Sequence, residues 1–262
     1  MANLLPKFIL VMLKEIKGVF SLLFEILYWI FIGPFKNKFI KLDSVFYQMG
    51  FSGVRSIAIV FFVSIFTGIV LAMQSAYQLQ KMGAVIYVAS LVAVSLCREL
   101  SPVLTALVVA GRVGSAIAAE LGSMKVTEQI EALEIMAINP VRFLAVPRFL
   151  ALFIMLPCLT VLSNISGILG GFLVGVGNLQ INPYLYVQTT YRYLELKDIY
   201  TGLTKSFVFA IVIALIACYQ GLNTKGGAEG VGKATTNSVV ASFILIILAD
   251  CVLTAMFYFS RM

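Results

Sequence analysis

From Ile57 to Met73 the chain runs for seventeen residues without a charge, and four further long apolar runs follow before residue 259. A hydrocarbon core of about 30 Å takes roughly 20 apolar residues in a helix. Inside lipid every backbone N–H and C=O must be bonded within the segment, so such runs fold as helices. Composition agrees: 61% of residues are hydrophobic and 12% charged, against about 45–50% and about 25% in soluble domains. The expected fold is an all-α integral membrane protein with five transmembrane helices, at about 54–74, 85–120, 149–177, 201–222 and 237–259.

Residues 1–44 read as a separate N-terminal region, and residues 45–262 as the membrane domain. The run Val19–Ile32 is only fourteen residues long and is interrupted by Glu25. It ends at Gly33-Pro34, and lysines flank it on both sides: Lys7, Lys14 and Lys17 before, Lys36, Lys38 and Lys41 after. No small-residue cleavage site follows it, which argues against a signal peptide. It is expected to be a helix lying in the membrane interface. The six lysines and Arg55 place the N-terminus on the cytosolic side, and five spans then carry the C-terminus outside. Arg112, Lys125, Arg142, Arg148, Lys225 and Lys233 fall on the inner side, whereas Lys81, Arg192, Lys197 and Arg261 fall outside. The net charge of +7 is thus a matter of topology, with no nucleic-acid partner implied.

Histidine is absent, and Cys97, Cys158, Cys218 and Cys251 are scattered through apolar runs, so neither a metal site nor a disulfide framework is expected. The cysteines read as packing residues. No catalytic constellation is visible, and no cofactor is called for. Gly227–Lys233 matches the GxxxxGK part of a phosphate-binding loop, but Ala234 stands where Ser or Thr would hold magnesium, and no parallel strand precedes it. These glycines are expected to form a compact turn.

Between Arg98 and Arg148 lies RELSPVLTALVVAGRVGSAIAAELGSMKVTEQIEALEIMAINPVRFLAVPR. Ala106, Ala110, Gly114, Ala118 and Gly122 recur every fourth residue, so one helix face is lined with small side chains that let another helix approach closely. Ser163, Gly167, Gly171 and Gly175 repeat the pattern in the third run, making it the expected packing partner of the second; Pro157 is expected to kink it. Beyond the second run, Thr127 can cap a short helix with Glu128, Glu131 and Glu134 on one face and Ile130, Leu133 and Ala137 on another. An acidic amphipathic element between two spans suits docking onto a soluble partner.

This region, about fifty residues from Glu99 to Arg148, together with GGAEGVGKATT at 226–236, resembles the MlaE family, the permease subunits of ABC-type phospholipid transporters that work with Mce-domain proteins. The resemblance implies a homodimeric ABC permease in the inner membrane of a Gram-negative bacterium, maintaining outer-membrane lipid asymmetry. It also implies the partners: a cytosolic MlaF-like ATPase that hydrolyses ATP in the permease's place, a periplasmic MlaD-like Mce-domain hexamer and a MlaB-like STAS-domain protein. The segment carrying Glu128, Ile130, Glu131, Leu133 and Glu134 is then the coupling helix that contacts the ATPase.

Four ionisable residues stand inside spans: Arg98, Glu99, Lys205 and Asp250. Each costs on the order of 2.5–3.5 kcal/mol at the bilayer centre. Two positive and two negative charges balance. One reading is an ion-pair network that holds helices together. The other is an outward-facing cavity in which these residues receive a lipid headgroup while apolar walls, Leu71 and Leu79 among them, hold acyl chains. An ion-coupled secondary transporter using Glu99 and Asp250, or a non-transporting scaffold, are the competing functions, but such transporters are built from repeats and none is visible here.

Overall fold

The computed structural model describes residues 4–33 and 41–259; Pro34, which ends the first apolar run, and Lys36, Lys38, Arg261 and the side chain of Lys7, which enter the charge reading, lie outside that description. The described residues are helical with short connections: α1 (Leu4–Phe31), α2 (Leu42–Gln80), α3 (Val85–Val126), α4 (Gln129–Ile135), α5 (Val141–Gly177), α6 (Pro183–Tyr193), α7 (Leu196–Leu222) and α8 (Gly227–Phe259). Five of these, α2, α3, α5, α7 and α8, are long and apolar enough to cross a membrane. They are longer than the expected spans, which stopped at the first polar residues. α3 alone has 42 residues, about 63 Å of helix at 1.5 Å per residue, so it extends well past a bilayer core.

Two compact units divide the chain, one of residues 1–49, 110–152 and 211–243, the other of residues 50–109, 153–210 and 244–262. In the first unit α1 is a 28-residue helix, twice the length of the apolar run. It packs on the π-helical turn Val141–Ala145 that opens α5. Ile26 and Leu22 are buried there, and Glu25 accepts a hydrogen bond of 2.9 Å from Asn139 Nδ2, which explains a carboxylate in an apolar stretch. Lys14, Glu15, Lys17 and Glu25 keep α1 out of the candidate spans. Gly18 is needed where Tyr219 of α7 lies across it, since a Cβ there would meet the ring at 2.6 Å.

GGAEGVGKATT is not a turn. Only Asn223–Gly226 connect α7 to α8, and the glycines open the last helix: Gly226 and Gly227 take positive φ values of 91° and 69°. A Cβ on Gly230 would collide with the Lys225 carbonyl. Close approach and left-handed backbone, not flexibility, fix the glycines here.

The second unit is held by a glycine seam. A Cβ on Gly68 of α2 would fall on the carbonyl oxygen of Gly167 in α5, and one on Gly170 would fall on that of Ile65. Ser64 and Ser163 bridge the same two helices with a 2.7 Å hydrogen bond. The glycine face of α5 therefore meets α2 as well as its expected partner α3, which it touches where Gly167 faces Leu96 and Gly171 faces Val92. Tyr186 of α6, buried, lies against Gly171 and Gly175. α5 runs unbroken through Pro157. Of the cysteines only Cys97 and Cys218 are buried; Cys158 and Cys251 are exposed, so packing does not account for those two.

Candidate functional site

Lys205 sits on α7 between Thr204 and Ser206 and has no solvent exposure. Its ammonium is bound by the carboxylate of Glu99, by Asp250 Oδ1 at 2.9 Å and by Thr254 Oγ1 at 2.7 Å. Hydrogen bonds to Glu99 and Thr254 and an ion pair with Asp250, from α3 and α8, thus compensate a buried ammonium whose isolation would cost several kcal/mol, although Asp250 Oδ1 accepts no hydrogen bond. The carboxylates are less enclosed than the lysine: the Glu99 side chain is 36% exposed and that of Asp250 24%. The cluster presents acid outward and keeps its cation inside.

Glu99 reaches Lys205 from a π-helical turn, Leu96–Leu100, in the middle of α3. A one-residue π insertion rotates the following side chains and recurs at functional positions. The polar pair Arg98-Glu99 is split by that turn. Arg98 turns to Asp198, Nε to Oδ1 at 3.7 Å. Asp198 is in the first turn of α7, where its Oδ2 also accepts from the Glu195 backbone N–H at 3.2 Å, one half of a capping box. Asp198 and Thr254 were not visible as site residues in the sequence. With Asp198 included, the formal charges no longer balance: two cations face three carboxylates.

Of the two leucines expected to line a lipid cavity, Leu71 borders an open cleft of about 330 Å³ together with Phe66, Val70 and Leu100, the residue after Glu99. Leu79 packs on the buried cluster of Ala72, Ala76, Val88 and Val92. Ala110, Gly114, Ala118, Gly167 and Gly171 are all buried. A Cβ on Gly114 would meet Ile213 Cγ2 at 3.4 Å, a looser fit than at Gly171, where Val92 Cγ1 lies at 2.8 Å.

The acidic element departs from expectation at its start. Thr127 does not cap it: its hydroxyl donates back to the Ser123 carbonyl at 2.9 Å and closes α3. The residue before α4 is Glu128, in the left-handed conformation with φ 59° and no side-chain cap. Ala137, expected on the apolar face, lies past the helix with φ 57°. Ile130 is buried, Leu133 half-buried, and Ile135 and Met136 are 87% and 61% exposed. Glu131 is paired with Lys125, whose ammonium holds its carboxyl below the usual carboxylate range, while Glu128 and Glu134 are exposed. Also in the first unit, Arg148 is buried and pairs with Glu120 at 2.8 Å while donating to the Leu144 carbonyl at 2.7 Å. In the sequence Arg148 marked only a membrane boundary. Among the described residues no group of three metal-binding side chains occurs.

Residues 45–256 match the family model described as Permease MlaE. A probable ABC transporter permease protein of Rickettsia typhi is 42% identical over 217 residues, covering 83% of this chain and 84% of the relative. One of Synechocystis is 43% identical over 203 residues, covering 78% and 77%. The chloroplastic protein TRIGALACTOSYLDIACYLGLYCEROL 1 of Arabidopsis thaliana is 36% identical over 211 residues, 80% of this chain and 60% of that protein. With five membrane-length helices and a family match over most of its length, the chain belongs to the MlaE family of ABC transporter permeases.

Proposed function

We propose that the protein moves phospholipid as one half of a homodimeric permease, with Glu99, Lys205 and Asp250 forming the polar end of the lipid path and Arg98 and Leu71 beside it. The observation that carries this reading is the buried Lys205 ammonium held by two carboxylates that remain partly open within membrane-spanning helices. A cluster built only to join helices gains nothing by leaving its acids exposed to the membrane interior, whereas a path for a charged headgroup needs polar groups at its wall. The Arabidopsis relative is named for a galactolipid, which supports a lipid as cargo. α8, of which only 11% of its most apolar window is buried, offers a long apolar face that suits a second copy.

The chain supplies no hydrolytic chemistry of its own in this reading. ATP is split by a cytosolic MlaF-like ATPase that docks on α4, with exposed Ile135 and Met136 joining Leu133 and Glu134 at the contact. A MlaD-like Mce-domain hexamer and a MlaB-like STAS-domain protein complete the assembly. Residues 1–44 form the interfacial region, residues 45–262 the permease proper, the N-terminus is cytosolic and the C-terminus periplasmic in a Gram-negative inner membrane, and the outcome is outer-membrane lipid asymmetry. The test is reconstitution of the chain with its ATPase and fluorescent phospholipid. ATP-dependent lipid movement that is lost in Glu99→Gln, with the ATPase still bound, supports the reading; a variant moving lipid at the parental rate overturns the role of the cluster.

A further inference from the structure

Asn182-Pro183 opens α6: the side-chain oxygen of Asn182 accepts from the Tyr184 backbone N–H at 2.9 Å, and Pro183 takes the first helical position. The helix connects the end of α5 to the start of α7, so it stands at that membrane face. Tyr186 and Thr190, and beside them Val187 and Tyr191, follow one another at a helical turn and form a stripe. This stripe borders a cavity of about 520 Å³ in the second unit, which Ile168 and Phe172 of α5 also line. Phe172 and Ile168 stand roughly 8 and 14 Å before Gly177, where α5 ends, at 1.5 Å per residue. The cavity thus reaches from α6 toward the membrane interior.

No charged side chain lines the cavity, and the apolar side chains of Leu169, Val187 and Leu196 on its wall are exposed. Two polar atoms are nevertheless buried there. The hydroxyls of Tyr186 and Thr190, both wall residues, have no hydrogen-bond partner among the described residues. Tyr186 is only 1% exposed, and its ring is fixed edge-on against Phe172 with centroids 5.4 Å apart, so its hydroxyl has no route to bulk water. A buried hydroxyl left unbonded is costly, and phenylalanine and valine would fill the same space without that cost. Apolar walls hold water poorly. What satisfies the pair is an acceptor carried by an apolar ligand, and the volume falls within the roughly 300–1,000 Å³ of small-molecule sites. A membrane helix of a partner would fit the apolar wall, but its carbonyls are already bonded within the helix. The ester carbonyl at the head of an acyl chain is an uncharged acceptor with no partner of its own.

We propose that this cavity holds an acyl chain of a membrane glycerolipid, with the chain's ester carbonyl accepting from the hydroxyls of Tyr186 and Thr190. The lipid is recognised by the part that glycerolipids share, and its headgroup stays outside. The site does not rest on the role given to the Lys205 cluster, and either can fail without the other.

The test is photolabelling of the delipidated full-length chain in detergent with phosphatidylglycerol, phosphatidylethanolamine or monoacylglycerol, each carrying a diazirine midway along its acyl chain. Saturable attachment to residues 168–172 and 187–199 is expected, at similar concentrations for the three lipids. Tyr186→Phe/Thr190→Val should raise the half-saturating concentration roughly tenfold or more, as the loss of two neutral hydrogen bonds requires. Leu169→Trp, at an exposed position, should abolish labelling by filling the cavity, whereas Thr190→Ser, which keeps the hydroxyl, and Glu99→Gln should label as the parent does. If the double variant does not accumulate, Thr190→Val alone should show a smaller shift in the same direction. Unchanged labelling in the hydroxyl variants overturns the proposal. Labelling by phosphatidylglycerol alone makes the site ionic, loss of labelling in Glu99→Gln makes it a stretch of the lipid path, and cross-linking of position 169 to a partner's membrane helix in the purified complex makes it a protein contact; each of these results also overturns it.

Discussion

Lys205 and Lys125 each hold a glutamate, and their surroundings make the two contacts opposite in kind. Lys205 has no exposure and binds Glu99, Asp250 and Thr254 on neighbouring membrane helices. Lys125 is one-third exposed and holds Glu131 across the corner between α3 and α4, where the carboxylate is 42% exposed. Water screens the second pair, so its removal costs little. The first ammonium has no solvent exposure, so removing its partners strands it. A similar pair of side chains is thus a commitment in one place and an ornament in the other, and the commitment is where function is sought.

The difference is broken most forcefully by Lys205→Ala. It leaves the carboxylates of Glu99 and Asp250 facing each other without their cation, a loss of about 3–5 kcal/mol. Membrane abundance and thermal unfolding in detergent should both collapse. Survival of this variant at parental stability would show that the cluster is solvated like the Lys125 pair.

Packing without charge gives the next largest effect. Gly68→Leu drives a branched side chain into the Gly167 carbonyl, and Gly171→Leu meets both Val92 and Tyr186. Each should destabilise by about 1–3 kcal/mol or more, whereas Gly114→Leu, with Ile213 at 3.4 Å, should cost less. Melting temperatures of the three purified variants check the order. If Gly114→Leu proves the worst, α3 is packed more tightly there than on its Val92 face.

Thr254→Val keeps shape and removes one acceptor from Lys205, for about 1 kcal/mol. Because the two carboxylates still hold the lysine, the variant should fold, and a drop in its melting temperature as large as that of Lys205→Ala would mean that the hydroxyl, not the acids, satisfies the ammonium.

At the exposed pair, Glu131→Gln should leave the melting temperature unchanged within error. The Glu131 carboxyl is held below its ordinary range by Lys125, so the contact is fully present above that range and is lost as pH falls through the lowered value. Pepsin cleavage within residues 127–137 should therefore rise only at strongly acid pH in the parent, and in Glu131→Gln, whose amide does not titrate, should be raised at every pH at which pepsin acts. Identical pH profiles would show that the pair does not order α4.

The same physical contrast decides what could be read from the chain. Arg98, Glu99, Lys205 and Asp250 stand out because each interrupts an apolar run, and a charge in such a run needs a partner. Asp198 lies in a polar stretch where a carboxylate is unremarked, and Thr254 is one hydroxyl among apolar residues that tolerate it in any helix. The Lys125–Glu131 pair is six residues apart with a helix end between, a spacing no helical rule joins. Thr127 closes α3 instead of opening α4, because a hydroxyl serves the end of one element as readily as the start of the next. GGAEGVGK looked like a turn because glycine is a poor helix former. Only the collision at Lys225 shows why α8 begins with it. The glycine stripe of α5 was legible from its spacing, but its contact with α2 was not, because α2 offers a single matching glycine, Gly68.

Whether the Lys205 cluster serves transport or only joins helices is settled by removing all its charge at once. Glu99→Gln/Lys205→Met/Asp250→Asn leaves no unpaired ion, and neutral replacements of similar volume in a buried ionic cluster are often tolerated or stabilising. Reconstituted with its ATPase, this variant should melt at or above the parental temperature, hold the ATPase, and fail to move labelled phospholipid on addition of ATP. Lipid movement at the parental rate would contradict the assignment and leave the three residues as a structural joint.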